Sequence, residues 1–151
     1  MKKFHFSLER LLKLKEHIEE EWEIKLGEAT GRCVRIRKGI EERRGNHVRT
    51  LQDRGGLSHQ DLMASELYMG RMRQEVVELE KELEEAEEER LNVQGFFLEA
   101  SRERKVLQKL KEKKEAIHKQ DQLKKDFDVL DDINSGAAAR RQAHDSGDGN
   151  F

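Results

Sequence analysis

The chain has 151 residues, of which 41% are charged, 34% hydrophobic and 5% aromatic, with no proline and one cysteine. This is too little apolar matter for a compact core of that length but enough for one narrow seam between helices, and such an arrangement has no concave interior to hold an active site. Lys+Arg 30 against Asp+Glu 32 leaves a formal net charge of -2, which argues against a dedicated nucleic-acid binder, and the lone Cys33 has no internal disulfide partner.

The basic start Met1-Lys2-Lys3 leads into Phe4, His5 and Phe6 without an apolar run, so neither a signal peptide nor a transmembrane span is expected, and the location predicted is cytoplasmic. A first helix is predicted over about 4–53. Its apolar stripe runs Leu8, Leu11, Lys15, Ile18, Trp22, Leu26, Ala29, Cys33, Ile36 and Ile40, with a stutter at Trp22. That periodicity separates the chain from a disordered one of similar charge. Cys33 falls on the stripe and reads as a small buried residue rather than a reactive thiol. Gly27, Gly31, Gly39 and Gly45 each cost about 1 kcal/mol relative to alanine, so this arm is expected to be the softer one.

A corner is predicted at 54–58. Gly55 and Gly56 permit a left-handed helix exit, Ser58 caps the next helix with Asp61 at its third position, and Leu57 is placed to pack on Leu62. Gly45-Asn46 is a weaker alternative exit. The second helix, about 58–133, carries a long heptad: Met69, Met72, Val76, Leu79, Leu83, Ala86, Arg90, Val93, Phe97, Ala100, Arg104 and Leu107. The register then shifts at Leu110 and continues through Ile117, Leu123, Phe127 and Leu130. The fold expected is therefore all-α, a long two-helix antiparallel coiled-coil hairpin with unequal arms. Pairing back from the corner puts Phe4 near Leu107 and leaves the segment beyond without an internal partner. Residues 134–151, diluted by glycine and serine, are expected to be a disordered tail.

No catalytic pattern is present: the histidines are scattered, there is no His-Glu-x-x-His, no Gly-rich phosphate loop and no nucleophile elbow, so neither an enzyme nor a cofactor is expected. The acidic run 78–89 reads as a solvated face, with a docking site for a basic partner as the alternative. Residues 102–125 have the opposite sign, with Arg102, Arg104, Lys105, Lys109, Lys113 and others outweighing four acids. A basic helix with an uncovered stripe is suited to entering a groove or ring, whereas the lack of interleaved aromatics weakens a nucleic-acid reading. Tyr68, Met69, Met72, Val76 and Val77 form an apolar surface wider than one seam, with Tyr68 and Val77 left over after core packing is satisfied.

The opening Lys3-Phe4-x-Phe6-x-Leu8-x-x-Leu11-Leu12-x-x-Lys15, with Glu19 following, the absence of proline, the glycine-containing corner and the stretch Arg102-x-Arg104-Lys105-x-Leu107-x-Lys109-Leu110 resemble the flagellar export protein FliJ family over residues 1 to about 133. The resemblance implies a non-enzymatic component of the bacterial flagellar type III export apparatus, shaped like the central stalk of rotary ATPases. Its implied partners are the export ATPase hexamer, a membrane export-gate protein and export chaperones, with peripheral association at the flagellar base. The ring-facing residues would be Phe4, Phe6, Leu8, Leu11, Arg102, Arg104, Lys105, Lys109, Lys113 and Ile117. The gate-facing residues would be Tyr68, Met69, Met72, Val76 and Val77. A stalk of a virulence-type secretion system, a generic dimeric coiled-coil scaffold and a nucleic-acid-binding hairpin remain as alternatives.

Overall fold

The structure, a computed structural model, describes residues 2–147. Two helices, α1 (Glu9–Gln52) and α2 (His59–Gly147), form an all-α helical hairpin, and no strand occurs among the described residues. Without proline nothing forces a break inside either helix, and the three-and-four spacing of apolar residues gives each a face to bury. The chain divides into two compact units, one of Lys13–Arg104 and one of Met1–Leu12 with Lys105–Phe151.

The corner, between Gln52 and His59, belongs to the first of these units. α1 runs through Gly45 without exit and ends at Gln52, and Gly56 is the only described residue with a positive φ, at 85°. Ser58 caps α2: the Asp61 amide donates to its Oγ at 3.2 Å, and the Leu62 amide donates to its carbonyl at 2.9 Å. Leu57 and Leu62 both stay exposed, so the cap is held by its hydrogen bonds. Arg54 folds back along α2, pairing with Glu66 and donating to the Met69 sulfur at 3.6 Å.

In the Lys13–Arg104 unit the seam is the one read from the heptads. Cys33, Ile36, Ile40 and Ala86 form its buried centre, with Val76, Leu79 and Leu83 packed against it. Every α2 position named from Met69 to Ala100 is buried or half-buried. Nothing lies within 4 Å of a Cβ built on Gly27, and only the Arg35 guanidinium does so at Gly31, so these glycines are weak points and not sites of close helix approach. Near one end of the unit Trp22 stacks on Phe96 with centroids 4.8 Å apart, and Lys25 sits 4.4 Å from the Trp22 ring centroid.

Charged residues flank that seam in pairs. Lys15 meets Glu103 at 2.7 Å, Arg32 meets Glu89 at 2.8 Å, Arg43 meets Glu75 at 2.9 Å and Arg44 meets Glu80 at 2.6 Å, while Arg37 pairs with Glu87 and Arg104 with Glu19. From Lys15 and Glu19 through Arg32 and Arg37 to Arg43 and Arg44, the partners on α2 move from 103–104 through 87–89 to 75–80, the signature of antiparallel pairing. The acidic run is therefore more than a solvated face, since three of its glutamates hold arginines of α1. Apart from the half-buried Arg104 with Glu19, these pairs are largely exposed and contribute about 0 to 1 kcal/mol each, so they specify register more than they add stability.

In the other unit, residues 2–6 are not helical and lie against α2. Phe6 is 3% exposed and Leu12 1%. Phe4 packs on the His118 ring with centroids 5.6 Å apart, His118 Nε2 donates to the Lys2 carbonyl at 3.1 Å, and Glu9 pairs with Lys111 at 2.9 Å. Besides the start of the first helix, which falls at Glu9 and not at about residue 4, two expectations are corrected here. Phe4 meets His118 and not the neighbourhood of Leu107, because its ring packs on the imidazole that also donates to the Lys2 carbonyl, which holds the segment farther along α2. The second correction concerns 134–147, expected to be disordered: α2 continues to Gly147, as suits Ala137, Ala138, Ala139, Arg140, Arg141, Gln142 and Ala143, all good helix formers. The last tail residues, 148–151, lie outside the described ones.

Candidate partner-binding surfaces

The ring-facing candidates divide between the two units. Arg102 is exposed in the Lys13–Arg104 unit, whereas Arg104 is half-buried there and occupied by Glu19. In the other unit Phe6 is buried and Phe4 and Leu8 half-buried, so these three hold the N-terminal segment on α2 and present little surface. Leu11 and Ile117 are exposed.

Lys105, Lys109 and Lys113 are different. They are exposed, and none has a hydrogen bond or ion pair among the described residues. Four-residue spacing sets them one above another on a single helix face. The result is a basic stripe on α2 in the unit that also carries the N-terminal segment. Lys111, two residues away along the helix, faces differently and is paired with Glu9.

Of the gate-facing candidates, Met69 is buried and serves the core. Met72, Val76 and Val77 line an open groove of about 540 Å³, whose other wall comes from Arg43, Arg44, His47 and Val48 of α1, with Arg73 and Glu80 at its edges. Tyr68 is exposed but outside this lining. Val77 and Val48 are both about half exposed, so the groove floor is apolar and open. The Nδ1 atom of His47 is buried without a hydrogen-bond partner, and the exposed Arg73 also lines the groove. The α1 half of this surface is invisible in the α2 segment alone. It becomes readable only once Arg43 and Arg44 are matched against Glu75 and Glu80 in antiparallel register.

Among the described residues no group of three or more His, Cys, Asp or Glu could hold a metal ion, and no helix is long and apolar enough to cross a membrane. Comparison with curated proteins and with solved structures yields no match. The family model described as flagellar FliJ protein matches residues 4–143, and the chain therefore belongs to this family of flagellar export components.

Proposed function

We propose that this protein is a non-enzymatic, stalk-like element of the flagellar type III export apparatus that binds the hexameric export ATPase and promotes its assembly, and that it works in the cytoplasm, peripherally associated with the membrane at the flagellar base. The observation that carries the reading is the Lys105, Lys109, Lys113 stripe, a row of uncommitted cations on one helix face. A row of cations with no internal partner is suited to an acidic lining in a ring, and exposed charge pairs of about 0 to 1 kcal/mol each form and break without trapping the helix.

The groove between Val48 and Val77 supports the second contact, with the membrane export gate. Its apolar floor and arginine rim suit an amphipathic acidic segment of the partner, and export chaperones are further proposed clients of the same exposed surfaces. The virulence-type alternative is served by the same geometry and is separated from the flagellar one by which ATPase responds.

The test is the hydrolysis rate and hexamer fraction of the cognate flagellar export ATPase with the wild-type chain, with the triple variant Lys105→Glu, Lys109→Glu, Lys113→Glu, and with a chain truncated after Arg104. Wild type should raise both quantities. The triple variant, whose helix content circular dichroism checks, should lose most of the effect, as should the truncated chain. Equal stimulation by wild type and triple variant would remove the basic stripe from the contact, and no stimulation by any form would refute the stalk reading.

A further inference from the structure

Beyond Gln122, α2 carries a second uncovered surface, separate from the basic stripe proposed for the ring contact. Leu123, Phe127 and Leu130 are 57%, 65% and 54% exposed, and their spacing of four and three places them on one stripe, continued by Asn134 and Ala137. What covers this stripe is indicated by the charges along its edges. With Phe127 at an a position and Leu130 at d, Lys124 and Asp131 fall at e on one edge, and Lys119, Asp126 and Ile133 fall at g on the other. All are exposed, and Lys124 and Asp131 make no hydrogen bond or ion pair among the described residues.

This order discriminates between ways of pairing two copies. A parallel pair brings g of one helix against e of the other, setting Lys119 against Lys124 and Asp126 against Asp131, like charges in both layers. An antiparallel pair brings e against e. Lys124 then faces Asp131 twice by symmetry, while Phe127 and Leu130 meet across the axis and Asp126 faces the neutral Ile133. Lys119 and Arg140 would oppose each other at the outer ends, which closes the contact at about residues 120–137.

We propose that this stripe is a self-association surface on which a second copy of the chain docks antiparallel through residues 120–137. At 1.5 Å per residue the contact is about 27 Å long, a small interface, so the dimer is weak and reversible. Two copies joined in this way cover Leu123, Phe127 and Leu130 and leave the basic stripe at Lys105, Lys109 and Lys113 outside the contact.

The experiment is sedimentation velocity of the full chain from about 10 to about 1,000 µM at low salt, for wild type, Lys124→Asp, Asp131→Lys and an equimolar mixture of the two variants. Wild type should shift from monomer toward dimer as concentration rises. Each single variant apposes like charges and should weaken association about tenfold or more. The mixture should recover it, because the carboxylate introduced by Lys124→Asp in one chain then faces the ammonium introduced by Asp131→Lys in the other. The proposal is overturned if wild type stays monomeric over the whole range. It is equally overturned if the single variants dimerise as wild type does, which would place the dimer elsewhere, or if the mixture fails to recover association while each variant retains wild-type helix content.

Discussion

Replacing Ile40 by alanine isolates the contribution of the buried seam to stability. Ile40 is 5% exposed and packs in the cluster with Cys33, Ile36 and Ala86, against Val76, Leu79 and Leu83. The substitution removes three carbons at about 0.8 kcal/mol each, a loss of about 2.4 kcal/mol, and the cavity left in a partly collapsible two-helix seam raises the cost to about 3 kcal/mol. For a urea m-value of about 1.5 kcal/mol/M the midpoint should fall by about 2 M, followed by circular dichroism at 222 nm. Val34→Ala, six residues earlier and 55% exposed, is the control and should cost less than about 0.5 kcal/mol. A cost below about 1 kcal/mol for Ile40→Ala, or equal costs at the two positions, would refute the placement of Ile40 in the seam.

Three further outcomes test separate parts of the structure. Ser58→Ala should cost about 1 kcal/mol and speed hydrogen exchange at the Asp61 amide, which Ser58→Asn should largely preserve; unchanged exchange would mean that the Ser58 hydroxyl does not cap α2. Gly27→Ala, whose new Cβ meets nothing within 4 Å, should raise stability by about 1 kcal/mol in the same urea titration, and a loss would reveal a close approach at that position. Phe96→Ala should uncover Trp22, the single tryptophan, and shift its fluorescence emission to longer wavelength, whereas an unchanged spectrum would deny the stacking.

The hairpin and its seam were legible because a missing proline and a sustained heptad constrain few alternatives. The predicted α2 positions from Met69 to Ala100 all lie in or against the seam, and Ser58 caps where the pattern put it. At the start of α1 periodicity had Leu8, Leu11 and Leu12 to choose from. It took Leu8 and Leu11, yet Leu12 is the one fully buried: α1 begins only at Glu9, so Leu8 lies outside the helix, and the non-helical Phe6 is the other residue buried there. Register was misjudged for a different reason: the place of the N-terminal segment along α2 depends on Phe4 packing on His118, a tertiary contact no local pattern encodes. The tail was misread by weighing its glycines above its alanines. Of the candidate surfaces, the lysine stripe was visible as composition, but which lysines are uncommitted depends on the partners of Arg104 and Lys111. The groove near Val77 was half visible, since its α1 wall follows only from antiparallel pairing.

The most direct test of membership in the export machinery is the amount of flagellar subunits secreted into the medium by cells lacking this chain, and by the same cells supplied with wild type or with the Lys105→Glu, Lys109→Glu, Lys113→Glu variant. Loss of secretion without the chain, restoration by wild type and poor restoration by the variant is the result expected. Undiminished secretion in cells without the chain would contradict its role as an export component.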